Sequence, residues 1–406
     1  MTGTLFTDVH VFDGTGRDPF PAQVLVEGNR IVAVAERIPR DLTAAARVID
    51  GGGGTLLPGL VDAHTHLGFG STVEHLSRRR DEPDEEKALL VAHAGRVLLD
   101  HGITSAYSGG NRLPGTEVAA RKAFAEGWMP GPRLRAASWE GSAGMVEPGV
   151  YDFPGVEGRA SDPESVARFV ADMAELGVDI VKLSLSGESA VVQGTSRIVQ
   201  FTDEEVAAAA YTAEKHGVWL TAHAHAAESV KTAVRHGVRA VYHCTFADEE
   251  ALDLLQAARA RIFVAPTPGI IHANLHEAGR EPEPGMEVEA TRDAVRAVVP
   301  ELVARGIRVV PGGDYGFAWN PVGRNLRDLE LFVDWFGFTP AEALRAATEY
   351  GGQVMGMAEE LGLVREGYLA DLVLVDGDPL ADIRILQDPG RLRVVMKNGA
   401  LHKAAG

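Results

Sequence analysis

A strand-and-helix rhythm repeated eight times is the sequence feature that most restricts the fold. Short apolar runs typical of buried strands recur from residue 57 onward, and segments with helix signals separate them. The eight runs lie at 57–63, 103–107, 133–137, 180–183, 218–222, 240–242, 262–265 and 308–310. Strands that alternate with helices in this way predict an α/β protein built as a (β/α)8 TIM barrel.

The segments between these runs begin and end as helices do. Ser161, Thr202 and Thr339 each stand three residues before a glutamate, which is the spacing of a capping box. Glycines stand where helices end and new strands begin, at Gly177, Gly217, Gly237 and Gly306. One further helix is predicted over 341–355, after the eighth strand.

The two ends of the chain have a different pattern. Short β-type runs at 5–11, 23–27 and 30–34 are punctuated by Asp-Gly and Gly-Asn pairs, which favours hairpins. Two more β-type runs follow the last helix, at 372–376 and 392–397. We therefore expect residues 1–55 and 362–406 to form a small composite β-sandwich outside a catalytic barrel of residues 56–361.

Composition limits the partners and the compartment. The chain has 406 residues, with 39 Lys and Arg against 57 Asp and Glu, so its formal charge is −18. This acidity argues against nucleic acid and anionic membranes as partners. Its one cysteine, Cys244, cannot form an intrachain disulfide. Because neither a signal peptide nor an apolar run of about 18 residues is apparent, we expect a cytoplasmic protein.

Polar residues stand at the ends of several predicted strands, where barrel enzymes carry their catalytic groups. His64 and His66 follow the first strand and are separated by one residue, so they project from the same face and can hold one metal ion. Lys182 lies inside an apolar run, where an unpaired ammonium would be costly. The ends of the fifth, sixth and eighth strands add His223, His225, His243 and Asp314.

Each of these residues also has a purely structural interpretation. Lys182 could extend to the surface, His243 could be a hydrogen-bonded core residue, and Asp314 could cap a turn. Together these interpretations fail, because five strands of one barrel would have to place potential ligands at the same rim by accident. The pattern therefore favours a metal site in one axial cavity.

The motifs that carry these residues resemble those of the amidohydrolase superfamily, and more narrowly its binuclear imidazolonepropionase-like and prolidase-like members. The matching segments are 58–66, 180–182, 223–225, 241–243, 313–314 and 370–374. The resemblance implies that His64, His66 and Asp314 bind the more buried ion. It also implies that His223 and His243 bind a second ion, and that Lys182, carbamylated by CO2, bridges the two. Zn²⁺ suits this ligand set best, with Mn²⁺ or Co²⁺ as alternatives.

The resemblance also implies a reaction. A hydroxide shared by two cations would attack the substrate, and Asp314 would serve as general base and then as general acid. The expected activity is hydrolysis of an amide-type C–N bond in a small molecule, such as an amide, an N-acyl amino acid, a carbamate or a urea. We expect the enzyme to be a homo-oligomer.

Residues around the ions are expected to choose the substrate. His225 faces the same side of its strand as His223, which makes it the other candidate for the metal. Because the resemblance places the ligand at the first histidine of this pair, His225 is assigned to catalysis, through contact with the substrate or its oxyanion. Tyr107, Trp139 and Tyr242 lie near strand ends and are candidate substrate contacts, although packing inside the barrel explains them equally well. His272 lies on a loop after the seventh strand, where substrate selection often occurs. Cys244 should point into the barrel wall as inert packing.

The chain departs from its prolidase-like relatives after the third strand. Those relatives carry a glycine pair followed by histidine there, whereas residues 138–145 contain no histidine. This weakens the expectation of a dipeptide or N-acyl amino acid substrate, and Trp139 with Met145 favours a more apolar or aromatic group.

Three other functions remain open. A deaminase of a cyclic substrate is one, because Glu228 stands three residues after His225. Lys182 argues against it, since a carbamate bridge has no role beside a single ion. A lactonase, esterase or phosphotriesterase would use the same hydroxide. A binding protein without catalysis is disfavoured, because all six implied ligands are present.

Overall fold

The computed structural model describes residues 3–71, 83–143, 162–188, 194–277 and 287–404. Its strands are β1 (Thr4–Val11), β2 (Phe20–Glu27), β3 (Arg30–Ala35), β4 (Arg47–Pro58), β5 (Leu60–Thr65), β6 (Ile103–Ser108), β7 (Arg133–Arg135), β8 (Ala137–Ser142), β9 (Ile180–Ser184), β10 (Trp219–Ala226), β11 (Ala240–Phe246), β12 (Phe263–Ala265), β13 (Arg308–Val309), β14 (Leu372–Val375), β15 (Leu392–Lys397) and β16 (Ala400–Ala404).

Its helices are α1 (Arg40–Thr43), α2 (Asp84–Asp100), α3 (Pro114–Ala125), α4 (Pro163–Leu176), α5 (Asp203–His216), α6 (Ala227–Arg235), α7 (Glu249–Ala258), α8 (Pro268–His276), α9 (Val288–Ala304), α10 (Arg327–Phe336), α11 (Pro340–Ala347) and α12 (Glu349–Val354). Across the described ranges, no helix is long and apolar enough to cross a bilayer.

Parallel strands form the centre of the molecule. One sheet has the order β5-β6-β7 and a second the order β13-β12-β11-β10-β9-β8, with every neighbouring pair parallel. Only Ala136 separates β7 from β8, so the two sheets follow each other directly. The other edges of the two sheets, at β5 and β13, are also hydrogen-bonded to each other. Ala63 N donates to Pro311 O at 2.9 Å, and His66 N donates to Tyr315 O at 2.7 Å. The predicted α/β alternation is confirmed, and each of the eight predicted runs overlaps a parallel strand.

The first predicted strand differs from the observed one. Residues 57 and 58 end β4, which pairs antiparallel with β14, whereas β5 begins at Leu60. Gly59 lies at the change of sheet, where an added Cβ would stand 2.1 Å from Thr104 Oγ1. An apolar run that is continuous in sequence thus belongs to two sheets, and hydrophobic periodicity cannot show this division.

The helix signals are largely confirmed. Thr202 and Thr339 form capping boxes with Glu205 and Glu342. The cap of α4 is Asp162, which pairs with Ser165, while Ser161 lies outside the described residues. The helix predicted over 341–355 is two helices, because Thr348 leaves the helical conformation with φ −116° and ψ −80°.

A mixed outer sheet joins the two ends of the chain. Its order is β16-β15-β14-β4-β1-β2-β3, so the segments predicted to form a sandwich form one continuous seven-stranded sheet. Residues from its two ends, including Val24, Ile31, Val394 and Met396, share one buried apolar cluster. The sheet therefore curves around a common core.

Candidate metal centre

The six implied ligands converge on one cavity at the carboxyl ends of the parallel strands. All six are buried: His64, His66, Lys182, His223, His243 and Asp314. Asp314 Oδ1 lies 2.9 Å from His66 Nε2 and 3.4 Å from His64 Nε2. The ring centroid of His243 is 5.8 Å from that of His64 and 4.3 Å from that of His223. Residues from five separate strand ends thus share a space of a few ångströms.

Several of these buried nitrogens have no hydrogen-bond partner among the described residues. Within that part of the chain, neither ring nitrogen of His64 is bonded, nor is His243 Nε2. His243 Nδ1 pairs with Thr267 Oγ1 at 2.8 Å, and His66 Nδ1 pairs with Gly110 O at 2.8 Å, so each ring keeps its Nε2 for the cluster, where that of His66 lies 2.9 Å from Asp314 Oδ1. Buried polar atoms without partners are costly, and imidazole nitrogens beside a carboxylate are ligands for a divalent cation. The residues therefore fit the metal that the family resemblance implies.

The imidazoles are held in the neutral form that binds metals. Burial lowers the pKa of His64 and His243 well below the ordinary value, and the nearby charges of Lys182 and His225 act in the same direction. Burial, with the charge of His225, lowers the pKa of His223 to about 4. Since only a deprotonated nitrogen can coordinate, these rings need lose no proton at neutral pH.

Strand β11 presents two consecutive side chains to the cavity. The Tyr242 ring stacks on His64 with a centroid distance of 3.6 Å, and His243 also faces the ligand cluster. Strict alternation would forbid this, but His243 and Cys244 have φ values of 70° and 55°. That left-handed backbone costs about 1–2 kcal/mol per residue, and nothing in the sequence signals it. Cys244 packs in the outer core as predicted, and burial raises its thiol pKa to about 12.

Lys182 has an acidic partner that the sequence analysis missed. Its Nζ donates to Gly109 O at 3.2 Å, lies 3.3 Å from Glu140 Oε1 and stands 4.5 Å above the Tyr242 ring centre. Burial alone would raise the pKa of Glu140, but the charges of Lys182 and His223 outweigh it and leave that pKa lowered. Glu140 was missed because the third strand was predicted to end at Ala137, whereas β8 continues to Ser142.

Glu188 is the second acid that the sequence analysis missed. It follows β9, and its Oε2 lies 2.9 Å from His225 Nε2 and 4.0 Å from His223 Nε2. Potential ligand atoms of Glu188, His223, His225 and His243 all lie within 4.8 Å of one another. Those of His64, His243 and Asp314 form a second such group. His225 therefore lies among the potential ligands. It is on the same side of its strand as His223, as strand alternation predicts.

Two buried carboxyl groups hold the backbone around the cavity. Asp62 accepts the His64 N–H at 2.8 Å and an Asn325 amide N–H at 2.5 Å. Asp328 accepts the Gly312 N–H and the Tyr315 hydroxyl, each at 2.9 Å. Burial raises the pKa of Asp62 to about 6 and that of Asp328 to about 8. These bonds fix the strand that carries His64 and the loop that carries Asp314.

The four predicted substrate contacts occupy different places. Tyr107 and Tyr242 are fully buried in the cluster inside the parallel strands, and the Tyr107 hydroxyl bonds to Thr221 Oγ1 at 2.9 Å. Trp139 packs against the outer core with Arg112 5.9 Å from its ring, so Glu140 rather than Trp139 faces Lys182. These positions favour the packing alternative for Tyr107 and Trp139, whereas Tyr242 stacks on His64 and so borders the ligands. His272 lies on α8, 3.3 Å from an Arg327 guanidinium nitrogen.

Other aromatic rings do border the ligands. Phe69 stacks on His66 at 4.2 Å between centroids, and Phe317 contacts Phe69 at 5.3 Å and Trp319 at 5.4 Å. Phe317 and Trp319 are only partly buried. These three rings form an apolar wall beside His66. Met145, the other residue predicted to favour an apolar substrate, lies outside the described residues.

Glu228, the residue that kept a deaminase open, does not face the ligands. Its side chain is 61% exposed and pairs with Lys231 at 2.7 Å. It is therefore poorly placed to donate a proton in the cavity.

Gly109 packs closely against the rings of His64 and His66, which gives a testable expectation. A Cβ at this position would lie 2.3 Å from His64 Cδ2 and 2.9 Å from His66 Nε2. Gly109→Ala should therefore displace both rings and weaken metal binding by at least about tenfold. Metal content after dialysis measures the effect, with Gly115→Ala as control, because a Cβ there meets no atom of the described residues closer than 4.0 Å. Equal metal content in the two variants would show that Gly109 does not position the histidines.

Known proteins share this arrangement of sequence and fold. The profile of the Amidohydrolase family matches residues 55–401. The ochratoxinase of Aspergillus niger is 27% identical over 380 residues, which cover 86% of this chain and 76% of that protein. The imidazolonepropionase of Aromatoleum aromaticum is 26% identical over 418 residues, covering 93% and 92%. The crystal structure of a Xaa-Pro dipeptidase with methionine in its active site superposes with a TM-score of 0.85 at 25% identity, covering 99% of this chain and 100% of that one.

Proposed function

The chain belongs to the amidohydrolase family, and from this premise we propose that it is a binuclear metal-dependent hydrolase of an amide-type C–N bond. The observation that carries the proposal is the convergence of buried histidines with unbonded nitrogens on Asp314. We further propose that the nine parallel strands, with β7 and β8 counted as one interrupted strand, close into a (β/α)8 barrel around this cavity. The ions would be held by His64, His66, Lys182, His223, His243 and Asp314. When bound, they supply an activated water and polarise the substrate carbonyl.

Asp314 is proposed to move the proton. Its Oδ1 faces His64 and His66, and its side chain remains 13% exposed to the cavity. It takes a proton from the attacking water and returns it to the departing nitrogen, because an amine leaves readily only when protonated. The backbone of Asp314 is left-handed, with φ 59°.

Lys182 is proposed to become a carbamate, and Glu140 makes this change possible. The Lys182 ammonium first loses one proton to solvent, and the neutral amine then adds to CO2, which gives N–COO⁻ and releases a second proton. Glu140 Oε1, 3.3 Å from Lys182 Nζ, is placed to take that proton. Uptake of the proton avoids two adjacent buried anions, which would otherwise repel each other strongly.

The apolar wall indicates the kind of substrate. Phe69, Phe317 and Trp319 border His66, so a substrate with an aromatic or bulky apolar group beside the scissile bond would bury that group there. The absence of a histidine after the third strand also favours an aromatic or apolar substrate, since it disfavours dipeptides. We therefore propose that aryl amides and anilides are better substrates than N-acyl amino acids.

A substrate screen of metal-loaded protein tests this function. The panel comprises anilides, N-acyl amino acids, carbamates, ureas and lactones, assayed with Zn²⁺ or Mn²⁺. We expect about two ions per chain and C–N hydrolysis that is fastest for aromatic substrates. Chelator-treated protein serves as control. A protein that holds two ions yet hydrolyses no member of the panel would contradict the proposal.

A further inference from the structure

We propose that a cavity at the amino ends of β11, β12 and β13 binds a small molecule that carries a diphosphate group. The cavity has a volume of about 880 Å³, and its lining includes Arg239, Arg261 and Arg308, which we call the arginine cluster. It lies at the end of the parallel strands opposite the ligand cavity and shares no residue with the proposed metal centre. The site is therefore independent of the proposed function.

Three adjacent strands bring the arginine cluster together. Arg239 directly precedes β11, Arg261 stands two residues before β12, and Arg308 is the first residue of β13. Strand β12 pairs in parallel with both neighbours, and its Phe263 lies opposite Ala240 and Arg308. Because the three strands run in the same direction and in this register, the three arginines start from the same end of the sheet.

The charge of the arginine cluster is not neutralised by the protein. Within the described ranges, no carboxylate oxygen lies within 4.0 Å of a nitrogen of its guanidinium groups. The lining also contains Glu359 and Glu360, but Glu360 pairs with Arg30 at 2.7 Å. Burial lowers the pKa of Arg308, and the charge of Arg239 acts in the same direction. A chain with a formal charge of −18 thus leaves three cations around one cavity, where a bound anion would relieve their repulsion.

Aromatic rings orient two of the guanidinium groups. Arg239 Cζ lies 4.0 Å from the centre of the Trp219 ring and 5.5 Å from that of Phe263. Arg308 Cζ lies 4.0 Å from the same Phe263 centre. A guanidinium group stacked on a ring keeps the N–H groups at its edge available to an anion. Since both groups are held in place before a ligand arrives, binding costs less conformational entropy.

Unused hydrogen-bond donors remain on the arginine cluster. Arg308 Nε is buried and has no partner among the described residues, whereas its Nη1 donates to Gln353 Oε1 at 2.9 Å and its Nη2 to Arg259 O at 3.0 Å. Arg261 donates through Nη2 alone, to Val234 O at 3.1 Å, in the part of the chain that the structure describes. Phosphate oxygens accept such N–H groups in pairs, and a diphosphate has enough charge to neutralise three arginines.

A purely structural role explains only part of the arginine cluster. Arg239 donates to Val354 O at 3.0 Å and to Gln353 O at 2.7 Å, so it caps the carboxyl end of α12. Capping does not explain Arg261, whose hydrogen-bond partner lies on α6, or the buried Nε of Arg308. A bound diphosphate satisfies these donors together.

The experiment is a calorimetric titration of the metal-loaded chain with pyrophosphate. We expect one pyrophosphate per chain, and Arg261→Gln and Arg308→Gln should each weaken binding by about tenfold or more, because each removes hydrogen bonds to a charged acceptor. Arg261→Gln leaves the cap of α12 intact, so its effect cannot come from that helix. Arg37→Gln is the matched control, because it removes an exposed arginine beyond β3 and should bind as the wild type does.

A second titration separates the arginine cluster from the metal centre, since pyrophosphate also binds divalent ions. Chelator-treated protein should bind pyrophosphate as tightly as the metal-loaded protein does. Thermal unfolding gives an independent readout, because a ligand that binds only the folded chain raises Tm. Pyrophosphate should raise the Tm of the wild type and of Arg37→Gln, and should raise that of Arg261→Gln much less at the same concentration.

Three results would overturn the proposal. The first is the absence of pyrophosphate binding to the wild-type chain, and the second is loss of all binding when the ions are removed. The third is equal affinity in the wild type, Arg261→Gln and Arg308→Gln. Circular dichroism excludes unfolding as the cause of any loss. Arg308→Lys keeps the charge without the planar fork of donors and should recover only part of the affinity.

Discussion

Asp314→Asn is expected to lower kcat by about 10²- to 10⁴-fold, the usual contribution of a positioned proton-transfer group. Asparagine keeps the shape of the side chain and an oxygen that can face His66, but it cannot accept a proton at neutral pH. The measurement is steady-state turnover of the best substrate from the screen, together with metal content. Because the oxygen remains, much of the bound metal should be retained.

A matched control separates this effect from a general charge effect. Asp334 is exposed on α10, so Asp334→Asn removes the same charge far from the ligands and should leave turnover unchanged. Turnover of Asp314→Asn within a fewfold of wild type, with both ions bound, would remove Asp314 from proton transfer.

Lys182→Ala is expected to abolish turnover and to destabilise the metal-free protein. The substitution leaves the Glu140 carboxylate buried without the cation 3.3 Å away. An uncompensated buried charge of this kind costs about 3–5 kcal/mol in the free energy of unfolding. Urea denaturation of metal-free protein measures the stability, and turnover with added metal measures the activity.

A double variant tests the cause of the instability. Lys182→Ala combined with Glu140→Gln removes the orphaned charge, so most of the lost stability should return while turnover stays absent. Lys215→Ala, at an exposed position of α5, is the control for loss of a lysine. A single Lys182→Ala variant as stable as wild type would show that Glu140 does not depend on the ammonium.

The sequence predicted those parts of the site that rely on regular strand geometry. His64 and His66 alternate on β5 as expected, and Lys182 was recognised because an ammonium in an apolar run needs a partner. The assembly of the parallel strands followed from the eight apolar runs, because each run is bounded by helix signals that define its ends.

The remaining parts depend on departures from regular geometry. Tyr242 and His243 both face the cavity because the backbone turns left-handed at His243. Glu140 faces Lys182 because β8 runs five residues beyond the predicted end of the third strand, and Glu188 lies on a loop whose path no periodicity describes. Single-residue conformations and loop paths are decided by tertiary contacts, so local sequence cannot reveal them.

The outer sheet has a consequence for how the protein is made. Strand β4 leads through Gly59 straight into the strand that carries His64 and His66, and β4 is paired on one side with β14. During translation β4 is synthesised long before β14, so the edge of β4 that pairs with β14 stays unpaired until most of the polypeptide has been translated. The anchorage of the first two histidines is therefore among the last events of biosynthesis, and chains released early would lack it.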